Sequence, residues 1–199
     1  MAAYNVVLAP AALEKLSGYL ELLLHWNRKV NLTGLKDPRT IVRRLFAESI
    51  YAAKIIELTG WLVDVGSGAG FPGLALKLLA PDLRVTLVEA RHKKCAFLKE
   101  VACQCGFSAV EVVAERFESW AAGLPATAQA NIVTTRAVDV SPELLQIIKT
   151  LLAPGASLVL LTTRRLAARI TRAPGWDWLP FKPYPADTSK GLQVSGCTI

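Results

Sequence analysis

The residues best placed to do chemistry are Asp64-Val-Gly66-Ser-Gly68-Ala-Gly70-Phe71-Pro72-Gly73, an acidic residue followed by three glycines at alternate positions. Glycine is needed where a chain takes positive φ or lies bare against a ligand. Pro72 suits a first helical turn, and the helix it opens offers unpaired N–H groups to an anionic group. Such a stretch can cradle a cofactor. A dinucleotide fingerprint has a small residue three places after its second glycine. Counted from Gly68, that place holds Phe71, and the third glycine falls at Gly70 instead. A glycine-rich turn without a ligand is the alternative reading.

Other candidates lie farther along. Glu89 ends an apolar stretch about 20 residues past the glycines, where a carboxylate can accept hydrogen bonds from two ribose hydroxyls. Phe117 and Glu118 follow a third apolar run; Phe117 either flanks an adenine or packs in the core, and Glu118 can orient the base. Arg136 ends a fourth run and brings a guanidinium to the mouth of a site. Cys95, Cys103, Cys105 and Cys197 show neither C-x-x-C pairing nor the density of a disulfide framework, and only two histidines are present. We therefore expect reduced thiols and no metal centre.

These residues need strands to carry them. Leu62, Val63 and Val65 form a buried strand, and a helix through Leu74, Leu76, Leu78 and Leu79 ends at Pro81-Asp82. The run from Arg84 to Glu89 then completes a βαβ unit. Further strands are expected at Val110–Val113, Ala130–Thr135 and Ser157–Thr162, the last after a Pro154-Gly155 turn. Helices open at Arg91 and at Ser141-Pro142. A short helix carries Arg165, Arg169 and Arg172 on one face, and two strands, Trp176 to Pro180 and Leu192 to Ile199, close the chain. Ahead of the glycines, Leu13, Leu16, Leu20, Leu23 and Leu24 mark an amphipathic helix, and Asp37-Pro38 caps a second that reaches Ile56. The expected architecture is α/β, a Rossmann-like, mostly parallel doubly wound sheet. A helical extension (1–58) and a ligand-binding domain (59–199) pack as one unit.

Although 52% of the 199 residues are hydrophobic, no apolar run approaches the ~20 residues of a membrane span. The start, Met1-Ala-Ala-Tyr-Asn, lacks the basic region of a secretory signal. We expect a soluble, monomeric, cytoplasmic protein that does not bind membrane. A net charge of +7 favours a polyanionic partner. Arg43, Arg44, Lys93, Arg165 and Arg169 are candidates for its phosphate contacts, with solvated helix faces as the bland alternative.

An acidic residue followed by G-x-G-x-G resembles the first motif of class I S-adenosylmethionine methyltransferases, a likeness that implies Asp64 at the strand end facing the methionine amino group. Over most of its length the chain also resembles the bacterial small-subunit ribosomal RNA guanine-N7 methyltransferases of the RsmG, or GidB, type. Three signals carry the likeness: Trp26-Asn27 with Asn31-Leu32-Thr33, then Asp64 to Gly73 with its Phe-Pro-Gly ending, then Thr135-Arg136-Ala137. The resemblance implies S-adenosyl-L-methionine as cofactor and 16S ribosomal RNA, or the 30S subunit, as partner. It implies a cofactor site built from Asp64, Gly66, Gly68, Gly70, Phe71, Glu89, Phe117, Glu118 and Arg136, with Arg136 at the reacting end.

The chain departs from the family twice. An Arg-His-x-x-Asp-Ser segment is here Arg44-Leu45-Phe46-Ala47-Glu48-Ser49, and the basic, lysine-containing end is weak. Both departures are expected to bear on RNA docking rather than on the cofactor. No Asp-Pro-Pro-Tyr, Asn-Pro-Pro-Tyr or Pro-Cys signature follows the fourth strand, which leaves no signal for exocyclic-amine or carbon-5 methylation. A methyltransferase for small molecules or proteins, a non-catalytic RNA-binding module and a nicotinamide dehydrogenase are the competing readings.

Overall fold

In the computed structural model, which describes residues 4–196, the apolar runs form strands β1 (Trp61–Val65), β2 (Arg84–Val88), β3 (Val110–Val113), β4 (Ala130–Arg136) and β5 (Leu152–Thr163). These five run parallel in the order β3-β2-β1-β4-β5. The chain leaves β1 in one direction for β2 and β3, then returns to its other side for β4. That reversal opens a crevice at the carboxyl ends of β1 and β4, where open α/β sheets bind ligands.

Helices α4 (Gly73–Lys77), α5 (His92–Gln104), α6 (Phe117–Ala122), α7 (Pro142–Leu151) and α8 (Arg164–Ile170) connect the strands. Alternate residues of β1 face opposite ways. Leu62 joins the apolar cluster with Val85 and Phe97, and Val63 joins the cluster with Val133 and Ile148.

The carboxyl-terminal end differs from expectation. Three strands follow α8 rather than two: β6 (Asp177–Trp178), β7 (Lys182–Tyr184) and β8 (Asp187–Gly196), with β8 antiparallel to β5. Residues 197–199, including Cys197 and the end of the expected last strand, lie outside the described residues, as do residues 1–3. Pro154-Gly155 does not precede β5 but lies within it. Pairing with β4 shifts between Ala130–Leu152 and Ile132–Ser157, a bulge that absorbs the proline.

The amino-terminal helices pack into the same apolar cluster as the sheet. In α1 (Pro10–Asn27) the buried line is Ala12, Leu16, Tyr19 and Leu23, whereas Leu13 is 52% exposed. The inner face is thus rotated from the leucine line expected, and it brings Tyr19 inside. The Tyr19 ring stacks on Phe71 at 5.3 Å and 9° and meets Phe46 edge-on at 5.0 Å. Its hydroxyl donates to the Ala69 carbonyl.

The second helical stretch, 38–54, is not one regular helix. It begins as α2 (Pro38–Ile41), with the Asp37 carboxylate accepting from Thr40 N, and widens into a π-helical segment, Val42–Ala47. It then continues as α3 (Glu48–Ile50) and a 3-10 turn, Tyr51–Lys54. Residues 45–50 are all buried, so this stretch is enclosed rather than amphipathic.

Asp64 ties the layers together. Its carboxyl is fully buried; Oδ1 accepts from Thr134 Oγ1 on β4 at 2.8 Å, and Oδ2 accepts from Gly73 N at the start of α4 at 3.1 Å. Its carbonyl accepts from Ser67 Oγ. Burial pushes the carboxyl up to about 7, against the lowering effect of hydrogen bonds from Thr134, Gly73 and Ser67.

Tyr19→Phe keeps the stacked ring but leaves the Ala69 carbonyl unpaired. It should cost about 1–3 kcal/mol in urea unfolding, against about 3–5 kcal/mol for Tyr19→Ala, which empties the site. Asp64 gives a pH test. Between the ordinary value of 3.8 and the folded value of about 7, the native carboxyl holds a proton that the unfolded chain has released. Its contribution to stability is therefore full below about pH 4, declines as pH rises towards about 7, and is level above that. Asp64→Asn can still accept from Gly73 and donate to the Thr134 hydroxyl, without titrating. Urea midpoints measured across this range should shift in the variant's favour, relative to the natural chain, as pH rises; a constant gap would contradict the assignment.

Candidate active site

The glycine loop is fixed to the ends of β2 and α1 before any ligand is considered. Gly66 N and Ser67 N both donate to the Val88 carbonyl, at 2.9 and 3.1 Å. Gly66 has φ +67°, and a Cβ there would come within 2.6 Å of Val138 Cγ2. Gly70, at φ +87°, lies against Tyr19, so a side chain there would displace α1. At Gly68 the backbone faces open space, with nothing nearer to a Cβ than 3.8 Å.

Above this loop lies a cavity of about 300 Å³. Gly66 to Ala69 form its floor, Leu32, Thr33 and Leu45 one wall, and Arg136 and Val138 the other, with Lys94 at the edge. The Trp26-Asn27 motif accounts for the first wall. Asn27 Oδ1 accepts from Leu32 N and Thr33 N at 3.0 and 2.9 Å, while its amide donates to the Leu35 carbonyl. One side chain thus holds the segment after α1 over the glycine loop.

Glu89 sits beside the loop, almost buried. Its Oε2 accepts from Gly68 N and its Oε1 from Arg91 N, both at 2.9 Å. Each carboxylate oxygen keeps lone-pair capacity for a hydroxyl donor. Asp64 takes a different place from the one expected. Both its oxygens are engaged beneath the loop, so it positions the loop rather than reaching an amino group at the surface.

Arg136 is held rigidly. Its Nη2 donates to Glu48 Oε2 and to the Arg44 carbonyl, each at 2.7 Å. Its Nη1 is buried and has no partner among the described residues. Burial pushes the Glu48 carboxyl above its ordinary range, while the Arg136 guanidinium pulls it down. The two departures in the segment 44–49 therefore belong to the site and not to a distant RNA surface, because Leu45 lines the cavity and Glu48 anchors Arg136. A signal for this existed: Ile41, Leu45, Glu48 and Ala52 follow helical spacing, which puts Glu48 on the inner face.

The remaining candidates divide. Phe71 is buried in the aromatic stack with Tyr19 and Phe46, though it also borders the cavity. Phe117 is buried in the core beside Trp120, the packing alternative, and Glu118 is exposed in the first turn of α6. On α5, Lys93 is exposed and it is its neighbour Lys94 that reaches the cavity. Arg43 and Arg165 are exposed, Arg44 is half-buried, and Arg169 pairs with Asp139 at 3.2 Å. Sequence reasoning gave Lys94 no role and Thr33 only a place in a motif, and it assigned the segment of Leu45 and Glu48 to RNA docking.

Bare backbone at Gly68, a carboxylate beyond the second strand and a polar cavity at the β1–β4 crevice fit S-adenosylmethionine. The residues that would hold it are Gly66 to Ala69, Glu89 and the cavity walls. Among the described residues no cluster of three or more His, Cys, Asp or Glu could hold a metal ion. None of their helices is long and apolar enough to cross a membrane.

Comparison with known proteins agrees with this geometry. The chain superposes on a SAM-dependent methyltransferase from Aquifex aeolicus with TM-score 0.63 and 16% identity, covering 83% of this chain and 96% of that one. It superposes on a precorrin-6y C5,15-methyltransferase from Geobacter metallireducens with TM-score 0.59 and 12% identity, covering 76% and 87%. In sequence it is 38% identical over 170 residues to the ribosomal RNA small subunit methyltransferase G of Halorhodospira halophila, covering 85% of this chain and 78% of that protein. The protein of the same name from Wolinella succinogenes is 33% identical over 179 residues, covering 90% of each. The model of the GidB family, rRNA small subunit methyltransferase G, matches residues 12–174. With a methyltransferase sheet, a cofactor cradle at its crevice and relatives of this kind along most of its length, the chain belongs to the rRNA small subunit methyltransferase G family.

Proposed function

We propose that this chain transfers the methyl group of S-adenosylmethionine to N7 of a guanine in small-subunit (16S) ribosomal RNA, acting as a cytosolic monomer on the RNA or the 30S subunit. The observation that carries the reading is the Arg136 guanidinium, fixed by Glu48 and the Arg44 carbonyl at the rim of the glycine-loop cavity. The cofactor supplies an electrophilic methyl group on a sulfonium. Guanine N7 already carries an available lone pair, so the site needs no general base to activate it. Its task is to hold acceptor and donor in line, an orientation effect of up to about 7–11 kcal/mol.

Each part of the site has a place in that task. Gly66 and Gly68 let the chain lie flat beneath the cofactor, Gly70 lets the loop close against Tyr19, Asp64 keeps the loop in shape, and Glu89 accepts from ribose hydroxyls. Arg136 orients the acceptor by charge and hydrogen bonding. Arg43, Lys93 and Arg165, exposed and basic, are suited to phosphate contacts.

The test is incubation with methyl-labelled S-adenosylmethionine and 30S subunits from cells lacking this activity, followed by location of the labelled base. Label on a guanine N7 is expected. Label on another atom, or none despite cofactor binding, would overturn the reading. Arg136→Lys keeps the charge and can still reach Glu48 and the Arg44 carbonyl, but it lacks the second guanidinium nitrogen, Nη1, which has no partner among the described residues. Its turnover should fall by about 100-fold with cofactor affinity little changed. Binding of the 30S subunit should weaken linearly with log salt, and Arg165→Ala should reduce the slope by about 1.

A further inference from the structure

On the β4–β5 side of Arg136 a second cavity, also of about 300 Å³, adjoins the glycine-loop cavity and shares Arg136, Ala137 and Val138 with it. Four polar atoms of its lining residues are buried without a hydrogen-bond partner among the described residues: Thr135 Oγ1, Arg136 Nη1, Thr162 Oγ1 and Tyr184 Oη. Thr135 and Tyr184 are each only 2% exposed. Native folds leave few buried polar atoms unpaired, so four around one cavity point to a polar occupant. Val138, Val140, Leu160 and Leu161 supply apolar surface between them. A planar ring with apolar faces and a polar edge matches such a lining.

Glu48 also lines this cavity. Its Oε2 is taken by Arg136, and its other oxygen meets no donor among the described residues. The pair therefore presents a donor, Arg136 Nη1, beside an acceptor, Glu48 Oε1. The Watson–Crick edge of guanine offers the complement: the O6 acceptor beside the N1–H and exocyclic amino donors. Adenine offers an amino donor beside the N1 acceptor, the reverse order.

We propose that this second cavity seats the acceptor guanine, with Arg136 donating to O6 and the free Glu48 oxygen accepting from N1–H and the exocyclic amino group. The assignment rests on guanine being the acceptor, as argued above, and it makes Glu48 the residue that selects the base. Bases read by proteins outside a duplex are commonly recognised along this edge. Methylation at N7 leaves the purine ring positively charged with no proton to remove, and a carboxylate at N1–H faces that charge. Arg44 and Lys190 lie near enough to favour the charged form of Glu48, but neither donates a hydrogen bond to it. Lys190 pairs with Asp187 at 2.9 Å, and Arg44 contributes only its carbonyl to the Arg136 contacts.

The test is a binding cycle on the purified protein, with the cofactor cleft saturated by S-adenosylhomocysteine. Affinities for guanosine, inosine and adenosine 5′-monophosphates are measured by ligand-observed NMR titration. Inosine lacks only the exocyclic amino group of guanine. The natural chain should bind the guanosine nucleotide about tenfold more tightly than either of the others, as expected for a hydrogen bond to a charged group.

In Glu48→Gln the guanosine nucleotide should weaken about tenfold and its advantage over inosine should shrink to within about twofold. S-adenosylhomocysteine affinity should stay within about threefold of the natural chain's. Glu48→Asp retains the carboxylate and should keep the guanosine-over-inosine preference, which a merely structural role for Glu48 does not require. Equal binding of adenosine and guanosine nucleotides by the natural chain would overturn the proposal. So would equal weakening of guanosine and inosine nucleotides in Glu48→Gln, or loss of S-adenosylhomocysteine binding there. Because binding is read without methyl transfer, guanosine preference with no label on 30S subunits would refute the proposed reaction and leave the pocket standing. Label at N7 without guanosine preference would refute the pocket alone.

Discussion

A carboxyl group with no access to water joins β1, β4 and the start of α4. Asp64 lies at the point where the strand order reverses, and through Thr134 and Gly73 it sets the separation of the crevice walls. Burying such a group is costly unless its oxygens are hydrogen-bonded. The fold meets that requirement with one side-chain hydroxyl and one backbone amide. The glycine loop then has little freedom left. Ser67 is tied to the Asp64 carbonyl, Gly66 and Ser67 to the Val88 carbonyl, and Gly68 to Glu89. The cradle is shaped by the protein's own hydrogen bonds, which lowers the ordering cost of binding.

A second organising pair, Arg136 and Glu48, stands at the boundary between the two cavities. Removing one member of a buried pair leaves the other charge uncompensated, so such pairs specify geometry more surely than they add stability. Here the pair and the Arg44 carbonyl occupy Nη2 and leave Nη1 without a partner among the described residues. Glu48 can occupy this place because residues 45–50 are all buried, and the π-helical segment lies immediately before it.

The parallel sheet, the position of the glycine loop and the places of Glu89 and Arg136 at strand ends were legible in the sequence, because strand periodicity and glycine spacing are local properties. What was hidden depended on which way a side chain turns in three dimensions. The leucines of α1 suggested an inner face that Tyr19 in fact dominates, since its ring has stacked partners in Phe71 and Phe46. Glu48 read as part of an RNA-docking segment through its departure from the family's pattern; its partner, Arg136, is 88 residues away. Lys94, which lines the cavity, is separated from the exposed Lys93 by about 100° of helical rotation, finer than the sequence resolves. Phe117 was left between two readings, and its contact with Trp120 favours the core.

The contacts that close the site are all distant along the chain: Tyr19 to Ala69 across 50 residues, Trp26 to Glu100 across 74, and Arg136 to the Arg44 carbonyl across 92. As the polypeptide emerges from its own ribosome, the amino-terminal helices are made well before β4 supplies the guanidinium that Glu48 needs. Until then the inner face of this stretch has no complete enclosure, and the carboxylate remains hydrated or protonated. The pair at the centre of the site thus forms only after the amino-terminal helices and the first three strands have been made, and a nascent chain lacks it until Arg136 itself has been added.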